Sequence, residues 1–496
     1  MRGSSVGAFL SLLMLGALSL PAAGQGAVWW SPGDGTPFPA QLDDVDGDGT
    51  TRLLLEGGPM QTKGHPFFEP KGDDGRACVT CHQPSDGMSL SAETARRRWA
   101  ETDGKDPLFA AYDGSNCPDL PQGERASHSL LLDHGLIRIA RPWPPVDAAG
   151  QRVEPDFTLE LVRDPTGCNA SKSWGMAAEA PRVSVFRRPR PVANFKYILA
   201  MGFAIDPKVG EPLPIDPATG QMVSGNLLSD RRVLSLEAQM QDAAHTHLGL
   251  RQGLTAEEQR QILDFELRLF VARQQDRIGG DLDEGGARGG PETLARSEPG
   301  RLGSQGMAVF SEFAAWEKIP ADADISPEQR AYRESVARGA RIFREKMFLI
   351  TDSAGINSPV GFGNPVRNSC VFCHNMSQMG MDVAPGQVDL GTTNMPFADP
   401  QPHLPLFRVT CKGEPHPHYG RVIHTHDPGY ALTTGLCADV GKITLQTLRG
   451  LTGRAPYFAN GSARDLRAVI DYYERRYNIG YTEQEKRDLV NLMGAL

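Results

Sequence analysis

Two short motifs in this sequence combine cysteine and histidine at the spacing used to attach a c-type haem. Residues 78–82 read CVTCH and residues 370–374 read CVFCH, so each is a copy of C-x-x-C-H. Two such thiols can each form a thioether with one haem edge, and the adjacent imidazole then binds the iron. A redox-active C-x-x-C pair or half of a zinc site is the alternative for a single copy. Two copies predict two covalently bound haem c groups, held by Cys78, Cys81, His82, Cys370, Cys373 and His374.

The remaining cysteines predict disulfide bonds. The chain contains eight cysteines, and the two motifs use four of them. Free thiols are uncommon in oxidising compartments, so we expect the other four to pair. Three pairings are possible, and nearness in sequence favours Cys117 with Cys168 and Cys411 with Cys437.

The N-terminus has the pattern of a secretory signal peptide. Arg2 supplies a positive charge, residues 6–20 are largely apolar, and residues 21–24 (PAAG) offer a cleavage site. We expect residues 1–24 to be removed and the mature chain to be soluble in the periplasm. An uncleaved anchor is the alternative, but the apolar stretch is shorter than the roughly 20 residues that a membrane span needs. The net charge of −9 without a basic stripe argues against nucleic acid and anionic membranes as partners.

The middle of the chain has the patterning of strands and loops. Apolar and polar residues alternate at 157–162 and 183–186, which predicts two strands. Residues 279–291 are rich in glycine and charge and indicate a loop or linker.

Capping signals predict helices in both halves. Thr255 precedes Glu258 by three residues, and Ile262, Phe265 and Leu269 then fall on one helix face. Two further helices are predicted to begin after Ser326 and Thr482.

An acidic segment in the polar lead-in has part of a calcium-loop pattern. Residues 44–49 read DVDGDG, and a calcium loop of this kind ends in a bidentate Glu. That position is Leu55 here, and Glu56 follows one residue late. We therefore expect a solvated acidic turn, with a bound calcium ion as the alternative.

Several short motifs follow the second haem motif in a characteristic order. They are residues 448–450 (LRG), 454–462 (RAPYFANGS), Leu466 and 469–473 (VIDYY). This region resembles the C-terminal signature of the bacterial di-haem cytochrome c peroxidases, a superfamily that also contains MauG, which matures methylamine dehydrogenase. The N-terminal half resembles a longer, less characterised branch at residues 75–77 (GRA), 186–189 (FRRP) and 286–291 (GARGGP).

The resemblance implies a mainly α fold. It has two cytochrome c-like haem domains, long loops and a few short β-strands in an inserted middle region. The two haem motifs begin 292 residues apart, at positions 78 and 370, which is wider than in the compact peroxidases. We expect the signal peptide at 1–24, an N-terminal haem c domain with the inserted region at 25–303, and a C-terminal haem c domain at 304–496.

The resemblance also implies residues on the reactive side of the N-terminal haem. Residues 236–239 (LEAQ) resemble the family's distal-loop motif and place Gln239 beside that haem. The family's catalytic Glu would fall at Gly249, so this sequence departs from the pattern. His245 and His247 lie just before it, and histidine suits acid–base catalysis near neutral pH. Each remains a candidate acid–base group, axial ligand or structural histidine.

The sixth ligand of the C-terminal haem is implied in the same way. The family's typical ligand is a Met seven residues beyond a conserved Leu, and counting from Leu466 reaches Tyr473. The MauG-like branch carries a Tyr ligand there, and a phenolate is a hard donor that stabilises ferric iron. The alternative is that Tyr473 packs against the haem. The ligand would then come from the methionines that follow the second motif, Met376, Met379 and Met381.

A histidine-rich stretch lies between Cys411 and Cys437. Histidines at alternate positions of a Pro- and Gly-containing loop indicate a solvated surface feature, with a metal site as the alternative. The residues are His416, His418, His424 and His426.

Together these features predict an exported di-haem peroxidase-type oxidoreductase. We expect hydrogen peroxide to react at the N-terminal haem, with electrons passing through the C-terminal haem. The partner would be a small electron-donor protein, such as a cytochrome c or a cupredoxin, or a protein substrate. The alternatives are a di-haem electron carrier with both irons six-coordinate and a di-haem oxygenase of the rubber-cleaving type.

Replacing one cysteine of either motif tests the haem stoichiometry. The intact protein should exceed the mass of its polypeptide by two haems and give a c-type pyridine spectrum. Cys78→Ala and Cys370→Ala should each remove about half of the haem absorbance, because each motif attaches one haem. A single haem in the unchanged protein would contradict the di-haem interpretation.

Overall fold

The computed structural model describes residues 28–147, 150–199, 225–297, 310–357, 362–374 and 387–496. Three predictions concern residues outside these ranges: the signal peptide at 1–24, the domain boundary at 303/304 and the methionine ligands at 376–381. Within the described residues, no helix combines the length and the apolar character needed to cross a bilayer.

Helices surround both haem motifs in the described residues. The longest, α7, begins with Ser326 as its N-cap and carries Val336, Ala340 and Phe343 on its buried face. The helices are α1 Ala92–Thr102, α2 Ser129–His134, α3 Phe195–Ile198, α4 Leu236–Thr246, α5 Ala256–Leu267, α6 Pro291–Arg296, α7 Pro327–Glu345, α8 Ala431–Thr434, α9 Leu466–Tyr477 and α10 Glu483–Ala495.

Strands in the described residues form small antiparallel sheets. Their orders are β1-β2-β6-β7, β12-β11-β4, β3-β5, β8-β9 and β10-β13. The strands are β1 Gln41–Asp46, β2 Gly49–Leu55, β3 Ile137–Pro142, β4 Phe157–Arg163, β5 Arg182–Arg187, β6 Leu269–Asp276, β7 Gly280–Asp281, β8 Phe348–Ile350, β9 Val366–Asn368, β10 Gln387–Val388, β11 Leu406–Cys411, β12 Val422–Thr425 and β13 Ile443–Thr444.

One sheet joins the two halves of the chain. Strand β4 pairs antiparallel with β11, so that Leu159 lies opposite Val409 and Phe157 lies opposite Cys411. These four side chains are buried in one apolar cluster. The N-terminal and C-terminal regions therefore share a core, while their assignment to two cytochrome c-like domains stays a prediction.

The structure confirms most of the local sequence predictions and corrects one. The predicted strands lie within β4 and β5, and the capping box of Thr255 with Glu258 begins α5. Leu269 was placed on the face of that helix, which is wrong. The helix ends at Leu267, and the apolar run from Leu269 pairs with β2 as strand β6 because buried β-branched and aromatic residues suit a central strand.

The acidic segment at 44–49 forms the end of a hairpin. Asp44 and Asp46 belong to β1, which pairs with β2 across a tight turn. The Asp46 carboxylate accepts hydrogen bonds from Nη1 and Nη2 of buried Arg273, at 2.6 and 2.7 Å. Across the described residues, no group of three or more His, Cys, Asp or Glu side chains is arranged to hold a metal ion.

Both predicted disulfides are confirmed. Cys117 bonds to Cys168 and Cys411 bonds to Cys437, and all four residues are buried. The second disulfide links the end of β11 to the short turn at Cys437–Asp439. In the chain-entropy model, closing loops of this size contributes about 3–4 kcal/mol each.

Helices α7 and α10 pack closely at a glycine. A Cβ built on Gly339 would lie 2.1 Å from the carbonyl oxygen of Asp488, which belongs to the backbone of α10. The Asp488 side chain also accepts hydrogen bonds from Ser335 and Arg338 of α7, which hold the two helices together next to this contact. This contact closes the core that supports the second haem motif.

Gly339→Ala should destabilise the protein. The added methyl group would force the two helices apart, and overpacking of this kind costs about 1–3 kcal/mol. Gly494→Ala in α10 is the matched control, because a Cβ there would meet nothing within 4 Å beyond its chain neighbours and the nearby backbone of its own helix. The control should be neutral or stabilising, since alanine favours helix. Equal effects of the two changes in urea unfolding would contradict the close-packing interpretation.

Candidate functional site

Each C-x-x-C-H motif lies in the wall of its own cavity. The first motif forms a tight helical turn at Cys78–Thr80, and the second does so at Cys370–Phe372. The N-terminal cavity, around the first motif, encloses about 1250 Å³ of empty space, and the C-terminal cavity encloses about 1450 Å³, each including space open to solvent. Both cavities are lined mainly by apolar side chains, as sites for small molecules and cofactors commonly are.

A backbone carbonyl sets the orientation of His82 in the N-terminal cavity. Its Nδ1 lies 3.0 Å from the carbonyl oxygen of Met88, so Nδ1 is the protonated nitrogen and Nε2 keeps its lone pair. Burial lowers the pKa of His82 to about 4, and the ring is therefore neutral at neutral pH. Histidines that bind metals usually have their other nitrogen anchored in this way.

None of the four motif cysteines forms a disulfide bond in this structure. Burial raises the pKa of both Cys78 and Cys81 to about 12 and that of Cys370 to about 11. A redox-active C-x-x-C pair needs a cysteine whose pKa is lowered, because the thiolate is the reactive form. The environment of Cys78, Cys81 and Cys370 therefore disfavours thiol redox chemistry, which is compatible with covalent attachment of a haem.

His247 is held by a carboxylate at the edge of the N-terminal cavity. It caps the C-terminal end of α4, and its Nδ1 lies 2.8 Å from Oδ2 of Asp113. Asp113 is buried and forms a second ion pair with Arg76. Burial alone would raise the pKa of Asp113, but the charge of Arg76 and the hydrogen bond to His247 lower it below its usual value. The arrangement suits a general base oriented by a carboxylate, and it equally suits an axial ligand.

The two other predicted residues of the reactive side lie in different environments. Gln239 lines the N-terminal cavity, and its buried Oε1 has no hydrogen-bond partner among the described residues. His245 is exposed and outside the cavity lining, with its Nδ1 directed at the carbonyl oxygen of Leu250. Gly249 lies beyond the end of α4, in a turn with a φ of 67°. Of the two histidines, the structure therefore brings only His247 to the cavity.

The sequence prediction missed one carboxyl group in the N-terminal cavity. Glu266 on α5 lines the cavity, is 3% exposed and has a buried Oε2 without a partner among the described residues. Burial raises its pKa to about 8, so the group is mostly protonated at neutral pH. The signal in the sequence was a charged residue next to Phe265 and one turn after Ile262, inside the apolar face of an otherwise regular amphipathic helix.

Tyr473 lies in the C-terminal cavity beside the second motif. It projects from α9, lines the cavity together with Cys370, Cys373 and His374, and stacks on Tyr477 with 6.3 Å between ring centroids. Burial raises the pKa of its phenol well above the usual value of 10. No described residue forms a hydrogen bond with its hydroxyl, which leaves that oxygen for a group in the cavity. Neighbouring Tyr472 instead donates to the carbonyl oxygen of Leu390, 2.9 Å away.

The histidine-rich stretch is not the solvated surface feature that the sequence predicted. His416 and His426 are each 2% exposed, and the side chain of His418 is 4% exposed, whereas His424 is exposed. The prediction failed because β12 and the Cys411–Cys437 disulfide fold this segment against the shared core. Burial lowers the pKa of His416 to about 3.

The residues around both cavities fit a covalently bound haem. Each cavity has mainly apolar walls, two cysteines that form no disulfide and an adjacent histidine. Cys78, Cys81 and His82 would hold one haem, and Cys370, Cys373 and His374 would hold the other. The partnerless polar atoms of Gln239 and Glu266 face the first cavity, which is consistent with a polar species or bound water near that haem.

The two cavities meet at the end of strand β5. Arg188 and Pro189 line both of them. The Pro189 carbonyl oxygen accepts a hydrogen bond from the hydroxyl of Ser89, 2.8 Å away, and Ser89 follows the Met88 that orients His82. A short stretch of backbone therefore separates the two candidate haem sites.

The chain is similar to one curated protein, the cytochrome-c peroxidase IdrP1 of Pseudomonas sp. (strain SCT). The two are 29% identical over 198 residues, which cover 36% of this chain and 44% of that protein. The chain thus matches less than half of the relative's length. No protein-family model matches the sequence. This similarity supports a peroxidase-like oxidoreductase at the level of a distant relative.

Proposed function

We propose that this chain is an exported di-haem c-type oxidoreductase that reduces hydrogen peroxide at the N-terminal haem and passes electrons through the C-terminal haem. The observation that carries the proposal is the placement of two C-x-x-C-H motifs in two cavities that share the Arg188–Pro189 wall. The distant similarity to a cytochrome-c peroxidase supports the reaction class. The electron donor is a small redox protein such as a cytochrome c or cupredoxin, and the compartment is the periplasm.

The residues of the N-terminal cavity would bind the cofactor and move protons. His82 and the two thiols hold the haem, which supplies a redox-active iron when bound. His247 takes the proton of the incoming peroxide at Nε2, because Asp113 keeps Nδ1 protonated and stabilises the resulting positive ring. Gln239 offers a free carbonyl oxygen to a peroxide O–H.

The C-terminal cavity would serve electron transfer. His374 would hold the iron of the second haem, and we propose that the Tyr473 oxygen would bind the same iron. Its position beside Cys370 and Cys373 and the absence of a hydrogen-bond partner among the described residues support this role. Metal binding would offset the cost of ionising a buried phenol. Such a haem stores oxidising equivalents better than it acts as a high-potential electron reservoir.

An electron carrier is the second candidate function. It is favoured if His247, as well as His82, would bind the iron of the first haem, because that would leave no open site for peroxide. The orientation of His247 by Asp113 suits a metal ligand as well as a base.

His247→Ala distinguishes these two roles. With His247 as the acid–base group, the change should slow the reaction with hydrogen peroxide by about 10²–10⁴-fold, as loss of a general base does. Asp113→Asn should also slow the reaction, because the ring would lose the carboxylate that orients it and stabilises its positive charge. Stopped-flow spectra of the holoprotein measure both rates.

His245→Ala is the matched control, since that residue is exposed and outside the cavity, and it should leave the rate unchanged. Faster binding of peroxide in His247→Ala would identify His247 as an axial ligand. An unchanged protein that does not respond to peroxide in any redox state would contradict the peroxidase proposal.

Tyr473→Phe tests ligation at the C-terminal haem. Removal of the phenolate should leave that iron high-spin or recruit a new ligand, and should raise its reduction potential, because phenolate stabilises ferric iron. Low-temperature electron paramagnetic resonance and a redox titration measure these changes. Tyr472→Phe should alter neither, since its hydroxyl is engaged by Leu390. A low-spin spectrum in Tyr473→Phe identical to that of the unchanged protein would refute ligation.

A further inference from the structure

Two buried arginines lie where the cavities meet. Arg188 is 6% exposed and lines both cavities, and Arg454 is 7% exposed and lines the C-terminal cavity. Nη2 of Arg188 donates to the carbonyl oxygen of Arg454 at 2.9 Å, so the two residues are directly connected. They form a positively charged pair in the interior, which we call the arginine pair.

Backbone carbonyls are the only hydrogen-bond acceptors that the described residues offer to this pair. Arg188 also donates from Nη1 to Gly135 at 2.7 Å, and Arg454 donates to Gly450, Thr447 and Arg449. No carboxylate of the described residues lies within 4.0 Å of either guanidinium. The nearby carboxyl of Asp86 is engaged elsewhere, by the amide of Ser91 and the hydroxyl of Thr94.

Two other buried arginines have the carboxylate partners that the arginine pair lacks. Arg187 forms ion pairs with Asp230 and Asp427, and Arg232 forms ion pairs with Asp230 and Asp242. A buried charge is costly unless it is paired, because carbonyl dipoles replace only part of its hydration. Burial lowers the pKa of Arg188 and Arg454 to about 10, which still leaves both charged at neutral pH.

The cavity that both residues line offers no compensating charge. The described lining of the C-terminal cavity contains no Asp or Glu, and the arginine pair supplies its only Arg or Lys side chains. Gln446 lines the same cavity, and its buried Nε2 donor has no partner among the described residues. The arginine pair therefore has carbonyl partners but no carboxylate partner in the cavity lining. An anionic ligand would supply the missing negative charge.

We propose that the arginine pair is a carboxylate-binding site for haem propionates, with Arg188 shared by both haems and Arg454 serving the C-terminal haem. The proposal rests on the proposed di-haem function. A guanidinium suits this ligand because its planar fork matches a carboxylate and it stays charged. Arg188 would place one positive charge beside both haems. That charge would raise the reduction potential of each haem.

Arg188→Gln and Arg454→Gln test the site in the haem-loaded protein. A positive charge near a haem favours the reduced state, so its loss lowers the potential. We expect Arg188→Gln to decrease the reduction equilibrium constant of both haems by about tenfold, which is about 59 mV for one electron. Arg454→Gln should lower only that of the C-terminal haem. The propionate bending bands of the resonance Raman spectrum should shift in both variants, which a merely structural role would not produce.

Arg273→Gln is the control, because Arg273 is equally buried but is paired with Asp46 and lines neither cavity. It should leave the propionate bands and both potentials unchanged. If Arg188→Gln yields no haem-loaded protein, Arg188→Lys replaces it. Lysine keeps the positive charge but lacks the planar guanidinium group. The propionate bands should therefore shift, while the reduction potentials of both haems should stay unchanged.

The haem content of the protein distinguishes failure of the proposed function from failure of the carboxylate-binding site. A chain without covalent haem would overturn the proposed function itself. Two haems with propionate bands that do not move in the Arg188 and Arg454 variants would overturn the carboxylate site alone. A shift confined to the N-terminal haem in Arg188→Gln would overturn the shared position.

Discussion

Buried Arg187 joins the two halves of the chain through two carboxylates. Its Nε and Nη2 donate to Asp427, at 2.7 and 3.0 Å, and its Nη1 donates to Asp230 at 2.7 Å. Asp230 precedes α4, which carries Gln239 and His247, whereas Asp427 follows β12 in the C-terminal region. Removing one member of such a buried group typically costs about 3–5 kcal/mol, because the remaining charge loses its partner. The end of β5 is therefore held in place from both sides.

The ion pairs of Arg187 fix the position of Arg188 and Pro189, which form the wall between the two cavities. Because Arg187 is fixed, the next residues, Arg188 and Pro189, are directed into the space between the two haem motifs. The Pro189 carbonyl is tied to Ser89, beside the loop whose Met88 carbonyl orients His82. A single buried ion-pair group thus connects the wall, the first motif and the helix that carries His247.

The two cavities differ in the chemistry that their side chains allow. The N-terminal cavity contains His247 and a protonated Glu266, which can move or hold protons, and Gln239, whose amide forms hydrogen bonds only. The described lining of the C-terminal cavity contains no acidic residue, and its tyrosines, Tyr457, Tyr473, Tyr477 and Tyr481, surround the second motif. Proton transfer at one haem and electron transfer through the other, as proposed, would use this asymmetry.

Local sequence determined the parts of this protein that depend on neighbouring residues. The two C-x-x-C-H motifs, the capping boxes of α5 and α10 and the alternation of β4 and β5 were predictable, because each is set by residues a few positions apart. The disulfides followed from cysteine spacing and the expected compartment.

Tertiary structure alone decided which residues meet at the site. Asp113 reaches His247 across 134 residues, and Arg188 reaches Arg454 across 266. The sequence made His245 and His247 equal candidates for the reactive side of the N-terminal haem. The packing of α4 brings only His247 to the cavity. It also treated the histidines at 416–426 as solvated, whereas the core shared by β4, β11 and β12 buries three of them. Contacts of this kind depend on how distant elements pack, and residue spacing along the chain carries no record of that packing.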